Sequence, residues 1–260
     1  ITGGGMVGLS LALALLPSGL RIALLDNAPG PRLPDAADPA LQLDQFDSRV
    51  SALTPASRNL LETLGVWQTL EQLRVCAYTD MRVWDADGTG SIHFAAAQLH
   101  QPCLGYIVEN SLVSAVLSAV LQREGQVTCF QCDSLDSFAP HSLDDGTTGQ
   151  LITLTSGTAL RCRLLIGADG TNSRIRRLAG FVSREWEYGQ KAIVTTVKTA
   201  HPHQFTALQR FMRSGPLALL PLYLPGAATQ HYSSLVWTCD SAQADALLAL
   251  DDENFARRLE

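Results

Sequence analysis

The sequence predicts an α/β fold, in which a βαβ domain carries an inserted or appended, mostly antiparallel β domain. Two observations predict it. A glycine-rich turn at residues 3–8 is followed by an apolar helical pattern and a short apolar strand, which is the order of a βαβ unit. Between residues 191 and 239 the pattern changes to strands in which polar and apolar residues alternate, as in an antiparallel sheet with one covered face.

The remaining elements follow from periodicity and from turn residues. The glycine turn and the first helix occupy residues 3–16, and a strand at 21–25 follows Pro17 and Gly19. Residues 28–47 are rich in Pro, Ala and Asp, which indicates a long surface loop. The later elements are a helix that begins at residue 54, hairpin strands at 81–84 and 91–94, a helix at 110–121, strands at 127–132, 151–155 and 164–166, a helix at 173–178, strands at 192–199, 205–212, 217–221 and 233–239, and a helix from residue 240 onward.

Composition excludes several classes of function. The chain has 260 residues, of which 46% are hydrophobic, enough for a large core in one domain or in a domain with a subdomain. The net charge of −6 argues against nucleic acid as a partner, because binding phosphates needs a basic face. No stretch reaches the roughly 18 apolar residues of a membrane span. Six cysteines in a chain of this length do not form a disulfide scaffold, which indicates a reducing cytoplasm.

Three other groups of residues are better explained by a structural role than by a functional one. Cys129 and Cys132 have the spacing of a redox pair but lie in a predicted strand, and no second pair completes a zinc site. The histidines of the 201–203 loop lack a third ligand, so no metal is expected. Three aromatic residues have strand spacing that favours a place in the core over an aromatic pocket. They are Phe211, Tyr223 and Trp237.

The first candidate site is the pattern G-x-G-x-x-G at residues 3–8, which includes Met6. Gly3 allows the tight turn, Gly5 lets a pyrophosphate approach the backbone, and Gly8 lets the helix pack on the strand. The free N–H groups at the start of the helix attract phosphate. Asp26 ends the next strand about 20 residues on, where a carboxylate binds the ribose hydroxyls. These features predict a Rossmann-like dinucleotide site without separating FAD from NAD.

A second candidate site is the turn at residues 167–170. A buried strand at 164–166 is predicted to deliver Asp169 and Gly170 to its carboxyl end, where ligands bind in open α/β sheets. A helix follows, with Ser173 and Arg176 in its first turn. The alternative is an ordinary βα turn.

The sequence from residue 161 to residue 176 resembles the aromatic-hydroxylase group of single-component FAD monooxygenases. Further blocks look like the ubiquinone-biosynthesis hydroxylases, in family order and over almost the whole chain. The resemblance is closest to the 2-polyprenylphenol hydroxylase branch. The blocks are residues 46–57, 60–61, 64–67, 82–85, 105–110 and 217–222.

The resemblance implies roles for individual residues. The turn and Asp26 would hold the ADP half of FAD, and Arg49 would reach the pyrophosphate or ribityl region. Either Glu109 or Asn110 would contact the flavin linker, with simple N-capping as the alternative. For Arg49 the alternative is a solvated loop arginine. In this family the Asp-Gly motif, here Asp169 and Gly170, lies against the flavin nucleotide and is implicated in nicotinamide binding.

The resemblance also implies the reaction. An FAD-dependent monooxygenase would hydroxylate the ring of a lipophilic polyprenylphenol in ubiquinone biosynthesis, with NAD(P)H and O2, through a flavin hydroperoxide. Because there is one glycine fingerprint, NAD(P)H would bind transiently. Two alternatives stay open: an FAD hydroxylase of another small aromatic, and a non-catalytic nucleotide-fold binding protein. The sequence exposes no catalytic acid or base. The expected location is cytoplasmic, with peripheral association at the inner membrane surface or with a biosynthetic complex as a further option.

The expected FAD-binding domain comprises residues 1–75 and 100–180, and the substrate-side β region comprises residues 76–99 and 181–260. Such a glycine turn normally follows a full strand, so we expect residues before Ile1. The family's later Gly-Asp motif, which binds the ribityl chain, does not occur after Gly170. We therefore expect that the C-terminal part of the FAD-binding domain is missing here, with weakened FAD binding as the result.

Overall fold

The computed structural model describes residues 1–33, 46–225 and 230–259. Helices alternate with mostly antiparallel sheets, which confirms the predicted α/β class. The elements in chain order are α1 (Met6–Leu15), β1 (Ile22–Asp26), β2 (Val50–Leu53), α2 (Pro55–Thr63), α3 (Trp67–Glu71), β3 (Cys76–Tyr78), β4 (Asp80–Asp85), β5 (Ser91–Ala95), β6 (Gly105–Glu109), α4 (Asn110–Glu124), β7 (Val127–Gln131), β8 (Leu135–Ser142), β9 (Thr148–Leu154), β10 (Ala159–Cys162), α5 (Arg174–Leu178), β11 (Gln190–Lys198), β12 (Thr206–Met212), β13 (Gly215–Pro221), β14 (Tyr232–Asp240), α6 (Ser241–Leu248) and α7 (Asp252–Leu259).

The described residues divide into two units. The first unit comprises those in the ranges 1–33, 61–68 and 111–184, and the second comprises those in the ranges 46–60, 69–110 and 185–259. This division follows contacts within the chain and does not test which part binds a cofactor, so the domain boundaries expected from the sequence stay a prediction.

The first unit has a parallel β arrangement at its centre. β1 pairs in parallel with β7, so that Asp26 lies opposite Gln131 at the carboxyl ends of both strands. Thr2 forms single-residue parallel bridges to Leu25 on one side and to Gly167 on the other. The carboxyl ends of these segments therefore lie at the same edge, where the ligands of open α/β sheets bind.

Helix α1 and an antiparallel sheet complete the first unit. α1 buries an apolar stripe that includes Leu9, Ala12 and Leu13. Strands β8, β9 and β10 form an antiparallel sheet in the order β10-β9-β8. Its apolar side chains share a core cluster with Leu25 and with Ile175 of α5.

The second unit contains a six-stranded sheet in the order β11-β14-β13-β12-β4-β5. All neighbours are antiparallel except β12 and β4, which are parallel. One face packs against α6, and its core cluster is Ile193, Leu235, Trp237, Cys239, Ala244 and Leu247. Strands β2, β6 and β3 form a separate antiparallel sheet.

Two predicted elements were wrong. Residues 164–166 do not form a buried strand, and the Leu164 side chain is 70% exposed. Among the described residues this segment has only Thr2 as a strand neighbour, so the ladder is limited to one bridge. The C-terminal helix is two helices, because the Asp251 carboxylate accepts the N–H of Asn254 at 2.8 Å and thereby starts α7 as a separate helix.

Smaller differences come from strand geometry. Trp237 is buried as predicted, but the Phe211 side chain is 48% exposed. Because side chains alternate along a strand, Phe211 points away from the face on which Met212 packs into the core.

Strands β2, β3, β6, β8 and β10 were not predicted. The predicted loop at 28–47 falls largely on residues 34–45, which lie outside the described residues.

Within the described ranges, no helix is long and apolar enough to span a bilayer. All six cysteines are free thiols, and Cys129 and Cys132 are exposed.

Truncation of Leu235 tests the core of the second unit. The side chain is fully buried, so Leu235→Ala is expected to lower the free energy of unfolding by about 2–5 kcal/mol. The matched control is Phe211→Ala on the same sheet, with an expected loss of less than about 1 kcal/mol. Urea unfolding followed by circular dichroism measures both. Equal losses would contradict this assignment of the core.

Candidate functional site

The glycine turn and the Asp169–Gly170 turn are joined through Thr2. The Thr2 amide donates to the Ile166 carbonyl at 2.9 Å, and the Ala168 amide donates to the Thr2 carbonyl at 2.7 Å. Gly3 has φ +106°, and a Cβ there would lie 2.2 Å from the Ala168 carbonyl oxygen. Only glycine therefore fits at position 3, for its conformation and for the closeness of the second turn.

The remaining motif residues surround the start of α1. A Cβ at Gly8 would lie 1.9 Å from the Gly3 carbonyl oxygen, so the helix packs directly on the turn. A Cβ at Gly5 would meet nothing within 4 Å, and Gly5 itself is exposed. No side chain of the described residues caps α1, which begins at the half-buried Met6. Its first N–H groups thus offer donors and a positive dipole end to an anion.

Asp26 is bound to the glycine turn. One carboxylate oxygen accepts the Gly4 amide in a short hydrogen bond, and the other accepts the Ala28 amide at 2.7 Å. A Cβ at Gly4 would lie 2.7 Å from the Asp26 carboxylate, so a larger residue at this position would displace the Asp26 side chain from the turn. Sequence reasoning treated Gly4 as a variable position of the motif. Its contact is visible only once the strand end and the turn are placed together.

A cavity of about 280 Å³ lies beside Asp26 within the first unit. Its walls are the glycine turn, the Pro-rich segment after β1, one side of α4 and the end of β7. The polar side chains of the last two walls were missed by sequence reasoning. They are Ser114, Ser118, Gln122 and Gln131. The first three recur every four residues in an otherwise apolar helix, which is a signal that could have found them.

Asp169 caps helix α5. Its carboxylate accepts the Ser173 hydroxyl at 2.6 Å and the backbone N–H of Arg174 at 2.7 Å. Partial burial raises the pKa of Asp169, but these hydrogen bonds and that from the Ile175 amide hold it below its usual range. Gly170 has φ +79° and is exposed, with open space where a side chain would stand. The Asp169 carboxylate is therefore ionised and fixed in place.

The three other candidate residues lie in the second unit. Arg49 is exposed, and none of the described side chains pairs with its guanidinium. The Asn110 amide nitrogen of the backbone donates to the Arg49 carbonyl at 2.9 Å. The Asn110 side chain accepts the Ser51 hydroxyl at 2.6 Å. Asn110 is thus the first residue of α4, and its side chain is half-exposed rather than buried.

Glu109 has a different environment from Asn110. Its side chain is 1% exposed, and it forms a two-oxygen ion pair with Arg74 at 2.8 and 3.1 Å. It also accepts the Asp47 amide at 2.8 Å. Burial raises the pKa of Glu109, and the Asp47 hydrogen bond and the Arg74 charge offset part of that rise.

The candidate residues therefore form two groups. The structure brings together Gly3, Gly5, Met6, Gly8, Asp26, Asp169 and Gly170 in the first unit, and Arg49, Glu109 and Asn110 in the second. Side-chain geometry alone does not test whether either group touches a cofactor, so their binding roles stay predictions.

The histidine loop has a structural role in the second unit. The Phe205 amide donates to His203 Nδ1 at 3.0 Å, and His203 Nε2 lies 3.0 Å from the Leu222 carbonyl. This pattern fixes a neutral imidazole with its proton on Nε2, and burial lowers the pKa of His203 accordingly. Among the described residues no group of His, Cys, Asp or Glu is arranged to hold a metal ion.

Comparison with known proteins identifies the family. The profile of a family described as "FAD binding domain" matches residues 1–257. The chain belongs to this family. The predicted resemblance to ubiquinone-biosynthesis hydroxylases is confirmed by its named relatives.

Three of these relatives illustrate the match. The chain is 36% identical over 238 residues to 3-demethoxyubiquinol 3-hydroxylase of Escherichia coli K12, which covers 91% of the chain and 56% of the relative. It is 37% identical to the ubiquinone hydroxylase UbiL of Rhodospirillum rubrum, over 100% of the chain and 56% of the relative. It is 33% identical to the human mitochondrial ubiquinone biosynthesis monooxygenase COQ6, over 98% of the chain and 53% of the relative. The chain thus spans about half the length of the curated relatives it matches.

Solved structures share the fold. One is pqsL, a probable FAD-dependent monooxygenase from Pseudomonas aeruginosa, with a TM-score of 0.76 at 18% identity over 100% of this chain and 65% of that one. Another is Klebsiella pneumoniae HpxO complexed with FAD and uric acid, with a TM-score of 0.66 at 16% identity over 92% of this chain and 55% of that one. At these identities the likeness shows the fold alone.

The residues present fit the family's cofactor. The open space at Gly5 leaves room for a pyrophosphate, and the uncapped start of α1 has free N–H donors that could bind its oxygens. The cavity beside Asp26 has mainly apolar walls with a few polar side chains, which is the usual lining of a small-molecule site.

Substitution of Gly5 separates folding from cofactor binding. Because a side chain at Gly5 meets no protein atom within 4 Å, Gly5→Val is expected to cost only the N-cap preference for glycine, about 1 kcal/mol or less, and to leave the fold intact. The same side chain would occupy the approach of a pyrophosphate, so the Kd for FAD should rise at least about tenfold, a loss of about 1.4 kcal/mol.

Gly90→Val is the matched control, since Gly90 also has open space around it and lies in the β4–β5 turn of the second unit. Flavin fluorescence titration measures both variants. Equal FAD affinity for the two variants would contradict the site.

Proposed function

We propose that this chain is the FAD-binding part of a monooxygenase that hydroxylates the aromatic ring of a polyprenylphenol in ubiquinone biosynthesis. The observation that carries the proposal is the junction of the two turns through Thr2, which puts both motifs at one sheet edge. The named relatives add the substrate class, because those described above act in ubiquinone synthesis by their names. The cosubstrates would be NAD(P)H and O2, as the resemblance implies.

The proposed roles follow the geometry of the first unit. Gly3, Gly5 and Gly8 shape the turn for the pyrophosphate, and the N–H groups from Met6 onward bind its oxygens. Asp26 accepts a hydrogen bond from the ribose, since each of its oxygens retains a lone pair. Asp169 and Gly170 form the wall next to this turn. As the resemblance implies, Arg49 would supply the cation for the pyrophosphate or ribityl region.

Bound FAD would supply the redox chemistry and the activation of dioxygen. The chain itself has three tasks, which are to hold the dinucleotide, to orient the phenol ring and to keep water away.

The six-stranded sheet offers a floor for the phenol. Thr196 on β11 and Ser234 on β14 lie directly opposite each other, and within the described residues their buried hydroxyls have no hydrogen-bond partner. Leu220 on β13 is the next cross-strand neighbour of Ser234. Since an unpaired buried hydroxyl is costly, a polar pair beside an apolar residue supports a ligand with one hydroxyl and an apolar body.

Removal of the Ser234 hydroxyl tests this floor. Ser234→Ala deletes a buried unpaired group, so the melting temperature is expected to stay level or to rise. The Kd for a short 2-prenylphenol should rise about two- to tenfold, the value of one hydrogen bond. Ser233→Ala is the matched control, because Ser233 is equally buried but points to the opposite face. Perturbation of the flavin absorbance on phenol addition gives the Kd, and equal effects of the two variants would contradict the floor.

The visible spectrum of the FAD-loaded full-length protein tests the function as a whole. The expected result is a flavin band that NADPH bleaches, with faster bleaching when a 2-prenylphenol is present. If only small polar phenols accelerate the bleaching by NADPH, the protein would instead be a hydroxylase of another aromatic compound. A flavin band that NADPH never bleaches would favour a non-catalytic binding protein.

A further inference from the structure

The buried Glu109–Arg74 ion pair is unusual for its surroundings. Glu109 is 1% exposed and the Arg74 side chain is 10% exposed, while the neighbouring Ile107 and Val108 are fully buried apolar residues. A buried ion pair is weak evidence for stability, because desolvation of both charges offsets most of their attraction. An apolar pair would fill the same space. The pair therefore calls for an explanation other than stability.

The contacts of Glu109 lead to one segment. The carboxylate accepts the backbone N–H of Asp47 at 2.8 Å. The Asp47 side chain in turn accepts the backbone N–H of Arg49 at 3.0 Å. The Arg49 carbonyl accepts the Asn110 amide at 2.9 Å, on the residue next to Glu109. Residues 47–49 are thus bound at one end by Glu109, the last residue of β6, and at the other by Asn110, the first residue of α4.

Arg74 fixes the preceding residue. Its guanidinium lies 5.2 Å from the centre of the Phe46 ring, within the range of a cation–π interaction. Phe46 is itself buried in a core cluster with Cys76, Ile107 and Leu222. Arg74 therefore contacts the Phe46 ring and Glu109 binds the Asp47 amide, both on the buried side of the segment. The side chain of Arg49 projects to solvent.

We propose that Glu109 and Arg74 are positioning residues, which fix the backbone of residues 46–49 so that the Arg49 guanidinium is presented in one place to the phosphates of FAD. This inference rests on the proposed role of Arg49 in FAD binding. Glu109 acts through Asp47 and Arg49 and does not touch the flavin. Of the two neighbours singled out in the sequence, only Asn110 then remains for a direct flavin contact.

The test compares two ways of replacing the pair. Glu109→Gln keeps a side-chain oxygen for the Asp47 amide but removes the charge that Arg74 faces, so it is expected to lower the melting temperature, while the Kd for FAD of the folded protein changes less than about twofold. The double variant Glu109→Leu with Arg74→Met is an apolar pair of similar volume, which is expected to fold normally. It leaves the Asp47 amide without its acceptor, and the Kd for FAD should rise about fivefold or more.

A double-mutant cycle shows whether the effect passes through Arg49. Arg49→Ala is expected to raise the Kd for FAD about tenfold, the value of a charge-assisted hydrogen bond. When Arg49→Ala is added to the apolar double variant, the Kd should rise less than about twofold further, because the guanidinium is no longer held in place. Flavin fluorescence titration gives each Kd, and thermal unfolding without FAD checks that each variant folds.

Each alternative outcome overturns a distinct statement. An unchanged Kd for Arg49→Ala would refute the proposed role of Arg49, and the positioning role with it. A tenfold effect of Arg49→Ala beside normal binding by the apolar pair would refute the positioning role alone. Additive losses would mean that Glu109 or Arg74 acts on FAD independently of Arg49.

Asp47→Ala is the second variant, in case the apolar pair does not fold. It removes the carboxylate link to the Arg49 amide at a half-exposed position and leaves the buried pair intact. The expected result is a several-fold weaker FAD affinity that is also non-additive with Arg49→Ala. Full additivity would overturn the inference.

Discussion

The structure of the first unit depends on the backbone contact between Gly3 and Ala168. A side chain at position 3 would lie 2.2 Å from the Ala168 carbonyl oxygen, and the bonds of Thr2 hold the two chains at that distance. Three consequences follow from this closeness. Helix α1 starts directly at the turn, the second turn is fixed next to the first, and the end of β1 brings Asp26 to the same edge. Two motifs about 160 residues apart in sequence therefore lie side by side at the sheet edge where ligands of open α/β sheets bind.

Sequence reasoning predicted the features that depend on backbone conformation. A glycine with positive φ, a glycine under a helix and an acidic strand end are each set by local geometry, and the structure has all three at Gly3, Gly8 and Asp26. It failed where pairing between distant segments decides the outcome. The strand predicted at 164–166 has, among the described residues, only Thr2 beside it, and no local pattern reveals that. The contact of Gly4 with Asp26 was missed for the same reason, whereas the four-residue repeat of Ser114, Ser118 and Gln122 was visible in the sequence and was overlooked.

The second unit contains polar groups of two kinds. The Glu109 carboxylate is committed to Arg74 and Asp47, which makes it a fixed part of the framework. The hydroxyls of Thr196 and Ser234 are buried with no described partner, which is a cost that proteins retain mainly at functional sites. Neither kind has a periodicity in the sequence that marks it, because burial and partners arise only from the tertiary fold.

The proposed role of the glycine turn is to bind the FAD phosphates with its own backbone. Residue-resolved hydrogen–deuterium exchange, with and without saturating FAD, measures this directly, because amides bound to a ligand exchange slowly. Slower exchange is expected at the amides of Gly5, Met6 and Val7, which start α1, with little change in the β4–β5 hairpin. Saturation with FAD that leaves exchange at those three amides unchanged would contradict this role.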